Sequence, residues 1–164
     1  MSDIKEGFGT AASFTITNAN LASSATAGWK SNAIDNSANK YLDAQVMVEL
    51  AAVNTAPADS KAIFLFAYSL IDGTAYSSTG DGTIDGSEGT VTFPSVTTLP
   101  NCLASLGTIP YPVQNKAINS VAFSVAACFG GVLPPKWGIA MINHSGMTLN
   151  VTAIKYIPIY KTVG

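Results

Sequence analysis

The sequence predicts an all-β fold: a single antiparallel β-sandwich, jelly-roll-like, of about eight strands, with an extended N-terminal arm. Three observations predict it. Apolar and polar residues alternate with period two in several segments, which puts every second side chain on one face of a strand. Turn signals separate those segments, among them Asp72-Gly73, Asp85-Gly86, Gly130-Gly131 and Pro134-Pro135. The connections 51–60 and 71–89 are too long for hairpins and suit Greek-key crossings. At 164 residues the chain suits one domain with a real core.

In chain order, residues 1–12 read as an arm and 13–164 as the sandwich. Ile4 and Phe8 are apolar, but Gly7, Gly9 and their polar neighbours give no strong local element. Weak strands are expected at 13–18 and 28–33. The clearest strand is 42–50: Leu42, Ala44, Val46, Val48 and Leu50 share one face, and Asp43, Gln45, Met47 and Glu49 the other. Residues 61–70, KAIFLFAYSL, are apolar on both faces, which fits a central strand. A weak strand follows at 90–93. Segment 99–107 is the one that reads as helical: Pro100 can start a turn, Leu103 and Leu106 share a helical face, and Gly107 can end it. Residues 119–129 alternate again, with Val121, Phe123, Val125, Ala127 and Phe129 on one side. Trp137, Ile139 and Met141 alternate with Gly138, Ala140 and Ile142. The last strand opens at Leu149 and runs to Tyr160. Pro158 cannot donate to a ladder, so that end reads as an edge or a bend. The core is expected at Val46, Val48, Phe123, Val125, Trp137 and Ile139.

Composition bounds the function. Charged residues are 11% of the chain, against roughly 25% in ordinary domains. A polar surface without charge loses less to desolvation when a partner covers it. All eight cations are lysines, scattered singly, and the formal charge is −2. Nucleic-acid binding would leave a basic footprint with arginine in it, so no nucleic-acid partner is expected. No run approaches the ~18 apolar residues of a membrane span, so no membrane partner is expected either. The opening MSDIKEGFGT lacks the pattern of a secretory signal, and synthesis in the cytoplasm is expected. Cys102 and Cys128 form no metal-ligand motif and read as two small buried residues, with a disulfide between them left open.

The search for chemistry assigns no catalytic, cofactor-binding or metal residues. His144 is the single histidine, and its setting in Asn143-His144-Ser145-Gly146 reads as an exposed hairpin tip. Asp81, Asp85 and Glu88 supply hard oxygens within a glycine-rich stretch, but their spacing does not match an EF-hand; the stretch reads as a solvated loop. Asp43 and Glu49 share a strand face about 20 Å apart, too far for a glycosidase pair. Tyr41, Tyr68, Tyr76, Tyr111, Tyr156 and Tyr160, with Trp29 and Trp137, read as core or interface residues more readily than as a sugar platform.

The stretch Trp137-Gly138-Ile139-Ala140-Met141-Ile142-Asn143-His144-Ser145-Gly146-Met147-Thr148-Leu149 resembles a hairpin of small jelly-roll virion proteins of tailed phages. The opening residues, followed by a Ser/Thr/Ala-rich segment leading to Trp29, resemble the arms with which such proteins grip a capsid. The resemblance implies a capsid decoration, or cement, protein. It would be a homotrimer on the capsid surface of the virion, assembled in the host cytoplasm, bridging subunits of the major capsid protein. Capsid or oligomer contacts are then expected at Ile4, Phe8 and Trp29. The alternatives are a tail, baseplate or fibre module, or a carbohydrate-binding β-sandwich.

Overall fold

The computed structural model describes residues 4–17, 20–58, 61–71, 74–79, 84–96, 103–111 and 113–163. Within them the chain runs β1 (Ile4–Phe8), β2 (Ala12–Ser13), β3 (Asn20–Leu21), β4 (Ala27–Lys30), β5 (Ile34–Asp35), β6 (Asp43–Leu50), β7 (Ala62–Leu70) and β8 (Gly89–Thr92). It continues through β9 (Ala104–Pro110), β10 (Ile118–Asn119), β11 (Phe123–Ser124), the single helical turn α1 (Val125–Cys128), β12 (Lys136–His144) and β13 (Leu149–Val163). The strands form two antiparallel sheets. The first has the order β1-β13-β6-β10, with β2 and β3 also on β13 and β11 also on β6; the second is β8-β4-β12-β7-β9, with β5 on β12. The first and last long strands are neighbours in one sheet, and β4 and β12 are neighbours in the other. Such wrapping is jelly-roll topology, with β8 as an added edge.

The faces of the long strands explain their patterns. Ala44, Val46, Val48 and Leu50 of β6 meet Ile63, Leu65 and Ala67 of β7, Trp137, Ile139 and Met141 of β12, and Ile154 of β13 in one core between the sheets. Five of the six expected core residues are buried there, and Phe123 packs partly buried against the same cluster. Leu42, by contrast, precedes the strand and is exposed.

A second core lies on the outer face of the second sheet. Phe66 and Tyr68 of β7 and Ala140 and Ile142 of β12 are buried there under Ile84, Phe93 and Leu103. Those last residues come from the connections that flank β8. The connections are tied down by backbone bonds, Ala33 N–H to the Gly86 carbonyl and Phe93 N–H to that of Thr26. Segment 61–70 is therefore apolar on both faces because a covering layer hides the face that a two-layer sandwich would leave wet.

Three expectations need correction. The segment read as helical, 99–107, supplies β9 from Ala104 onward; residues 97–102 lie outside the described part. Leu65 pairs with Gly107 and Phe66 with Ser105, so Leu106 is the extra residue of a β-bulge. Leu103 faces the second core, and Leu106 and Ile109 face the core between the sheets. The bulge sets the latter two three apart, and burial on both faces yields a spacing of three that mimics a helix. Residues 119–129 are not one strand. Val121 is 72% exposed, and the chain turns through α1 because Ser124 Oγ caps Ala127 N–H while Asp43 accepts from Ser124 Oγ and Ala126 N–H. Gly130 and Gly131, at φ 74° and 92°, end that turn in the left-handed region. Finally, within the described part of the arm, 4–12, Ile4–Phe8 form a strand paired with β13, and Ala12 begins β2 on the same strand.

Candidate binding surface

One sheet face is covered, so the open one is the outer face of the first sheet. Strand alternation places Ile4, Glu6 and Phe8 of β1 on it, beside Ile157, Ile159 and Lys161 of β13 and Asp43, Gln45, Met47 and Glu49 of β6. Ile4 is 69% exposed and Phe8 62%. Gly7 lies against the ring of Tyr160, where an added Cβ would come within 2.7 Å of a ring carbon. Lys155 and Glu49 close an ion pair of 2.7 Å on this face. Beside the ribbon of β1 and β13 lies a groove of about 380 Å³ between Ile159 and the α1 turn. Leu42 links it to a second groove of about 470 Å³ lined by Tyr41, Leu133 and Lys40. Lys40 sits at φ 53°, and the ring of Tyr41 lies 6.4 Å from that of Tyr160.

Trp29 does not belong to this surface. It is 3% exposed within the main core, and its indole N–H donates to Glu88 at 2.6 Å. Its position on β4, whose alternate residues face the two cores, decides this: Trp29 points between the sheets, Gly28 and Lys30 outward. Of the three expected contact residues, the fold brings Ile4 and Phe8 together and buries Trp29.

The acidic loop is a fastening. Lys30, buried on the outer face of the second sheet, reaches Asp85 at 2.5 Å and the Ser87 carbonyl at 2.6 Å. The Lys30 ammonium and the Ser87 hydroxyl hold the Asp85 carboxyl well below its ordinary range. Burial pushes Glu88 upward, but hydrogen bonds from Thr17 and Trp29 outweigh it and leave its pKa lowered. Asp81 lies outside the described residues. Among the described residues no group of three or more His, Cys, Asp or Glu is placed to hold a metal ion.

The other singled-out residues find structural partners. Asp43 anchors the α1 turn and Glu49 pairs with Lys155. His144 is the last residue of β12, half-buried rather than on the hairpin tip. The turn is organised by Asn143: its amide donates to the carbonyls of Leu21 and Met147, and its oxygen accepts from the backbone N–H and hydroxyl of Ser145. Gly146 is at φ 79° with Ala58 packed against it, and Gly138 lies under the Tyr68 ring. The hairpin motif is thus a set of packing and turn requirements. Tyr68 and Tyr111 are buried; the buried hydroxyl of Tyr68 donates to the Ser31 carbonyl, and its pKa is raised. Cys128 is half-buried and its thiol is pushed up by burial and by Asp43; Cys102 lies outside the described residues.

The neighbours of Ile4 and Phe8 on the open face, Ile157 and Ile159, went unnoticed as surface residues in the sequence. The signal was their spacing of two either side of Pro158. Compared with protein-family models, with curated proteins and with solved structures, the chain finds no match.

Proposed function

We propose that the chain is a structural virion protein that seats on the outside of a tailed-phage capsid and stabilises it by bridging major capsid subunits, working as a homotrimer. The observation that carries the reading is the asymmetry of the two sheet faces: one lies under a covering layer, and the other is open and ends in a ribbon bearing Ile4 and Phe8. A monomer gains nothing from displaying two large apolar side chains on an edge, whereas a docking surface does. The jelly-roll topology and the charge-poor surface support the same reading. Shell pressure is resisted by many small contacts repeated over a lattice, and repetition makes individually weak contacts sufficient.

Co-sedimentation of the purified protein with expanded particles of the encoding phage tests this. Binding in many copies, in proportion to capsomers, is the expected result. Replacing Ile4 and Phe8 with Ser should weaken it at least tenfold while leaving the fold intact. A few copies per particle would favour a tail, baseplate or fibre location, and no binding to particles would overturn the virion reading.

A further inference from the structure

We propose that β1 is exchanged between copies of this chain, so that Ile4–Phe8 of one molecule pairs with residues 159–163 of another. The inference rests on the homo-oligomer named above, though not on the capsid. Among the described residues strand β1 pairs with β13 alone, and the pairing overhangs the sandwich: β6 follows β13 only as far as Asp43 opposite Ile159. Residues 160–163 thus have β1 as their strand partner and none from β6. A two-stranded ribbon by itself is marginal.

The side chains of Ile4, Lys5, Glu6 and Phe8 are exposed. The ribbon is held by backbone hydrogen bonds and by two close fits, Gly7 against Tyr160 and Gly9 against Pro158. An identical strand from another molecule makes those same bonds and fits. Exchange therefore keeps every contact of the single molecule. In the exchanged oligomer Ile4 and Phe8 stay exposed on the open face, as in the single molecule, and the strand that carries them becomes a tether between two sandwiches.

The hinge is visible in the register. Gly9 donates to the carbonyl of Pro158, but Ala12 stands opposite Tyr156, so Thr10 and Ala11 oppose Ile157 alone. Pro158 brings no N–H to this point, and the ladder breaks there. Thr10 and Ala11 are exposed, and straightening the chain at them would swing β1 outward while β2 stays paired. Simple edge-to-edge docking of two copies is less suitable. In the register that pairs all of β1 with its copy, Glu6 faces Glu6, and like charges directly opposite are unfavourable.

Glu6 and Lys161 are direct partners. Counting from the Gly9–Pro158 bond they form a non-hydrogen-bonded pair, with Cα atoms about 4.5 Å apart, within disulfide reach. The test is the variant Glu6→Cys/Lys161→Cys in a Cys102→Ser/Cys128→Ser background, oxidised with oxidised glutathione and separated without reductant. Exchange predicts covalent oligomers as the main product. A monomer closed by an internal disulfide would overturn the proposal, even if the protein is an oligomer held together elsewhere. If that variant does not fold, deletion of residues 1–9 decides. Its mass in solution should fall to that of one chain, with the β-sheet circular dichroism kept, and an unchanged oligomer would overturn the exchange. Covalent oligomers that fail to bind particles would remove the capsid reading and leave the exchange standing.

Discussion

At the residue scale, the most demanding positions lie around the β12–β13 turn and beneath the covering layer. Asn143 is fully buried and serves four polar groups. Asn143→Ala would strand two carbonyls and the donors of Ser145, and should cost ~1–3 kcal/mol. Chemical denaturation measures this, with exposed Thr148→Ala as a control expected within ~0.5 kcal/mol of the parent. Gly28→Ala should be at least as damaging, because its Cβ would come within 2.3 Å of the Met141 carbonyl oxygen. A backbone atom cannot rotate away, so the strands β4 and β12 must part, at a cost on the order of 1–3 kcal/mol.

At the element scale, the covering layer is fastened by carboxylates, and its stability should follow pH. Asp85 and Glu88 have pKa values below their ordinary 3.8 and 4.5. A carboxylate with a depressed folded-state pKa contributes stability that is fully present above its unfolded value and is lost as pH falls through the folded one. The thermal midpoint should therefore be flat above about pH 5 and fall steadily below pH 4. In Asp85→Asn/Glu88→Gln the acid limb should be shallower, and an unchanged limb would show that other groups set it. The same scale shows what the sequence could convey. Strands β6, β7 and β12 were legible because each buries side chains in strict alternation, or on both faces. β9 was misread as helix because Leu103 and Leu106 are buried on opposite faces of the sheet and a bulge then sets Ile109 three residues further on. The α1 turn was missed because Ser124 and Asp43, 81 residues apart, close it together, and no local pattern reports such a pair. On the candidate surface Ile4 and Phe8 were legible as unspent apolar residues. Trp29 was open between core and interface, and its burial was not legible because its partner Glu88 lies 59 residues away.

For the whole molecule, wrapping order sets the kinetics. The central strand β12 pairs with β7 and β4, bringing Ile139 beside Ala67 and Met141 beside Trp29 across long stretches of chain. Contacts of that kind pay their loop-closure entropy before any reward, so refolding after dilution from denaturant should take milliseconds to seconds, not microseconds. Stopped-flow fluorescence of Trp29 and Trp137 would follow it, since both indoles enter the main core.

The pairing of β1 with β13 also sets Ile4 directly opposite Val163. A linker of roughly two to five residues is enough to join cross-strand neighbours. The chain can then be reopened within 113–117, where every residue is exposed. Such a circular permutant has the same strands in the same places. Its first strand, however, has become the second arm of a covalent hairpin and can no longer leave its own molecule. If β1 is exchanged as proposed, the permuted protein should stay a single chain at concentrations where the parent forms oligomers, which would turn a question of quaternary structure into one of chain connectivity.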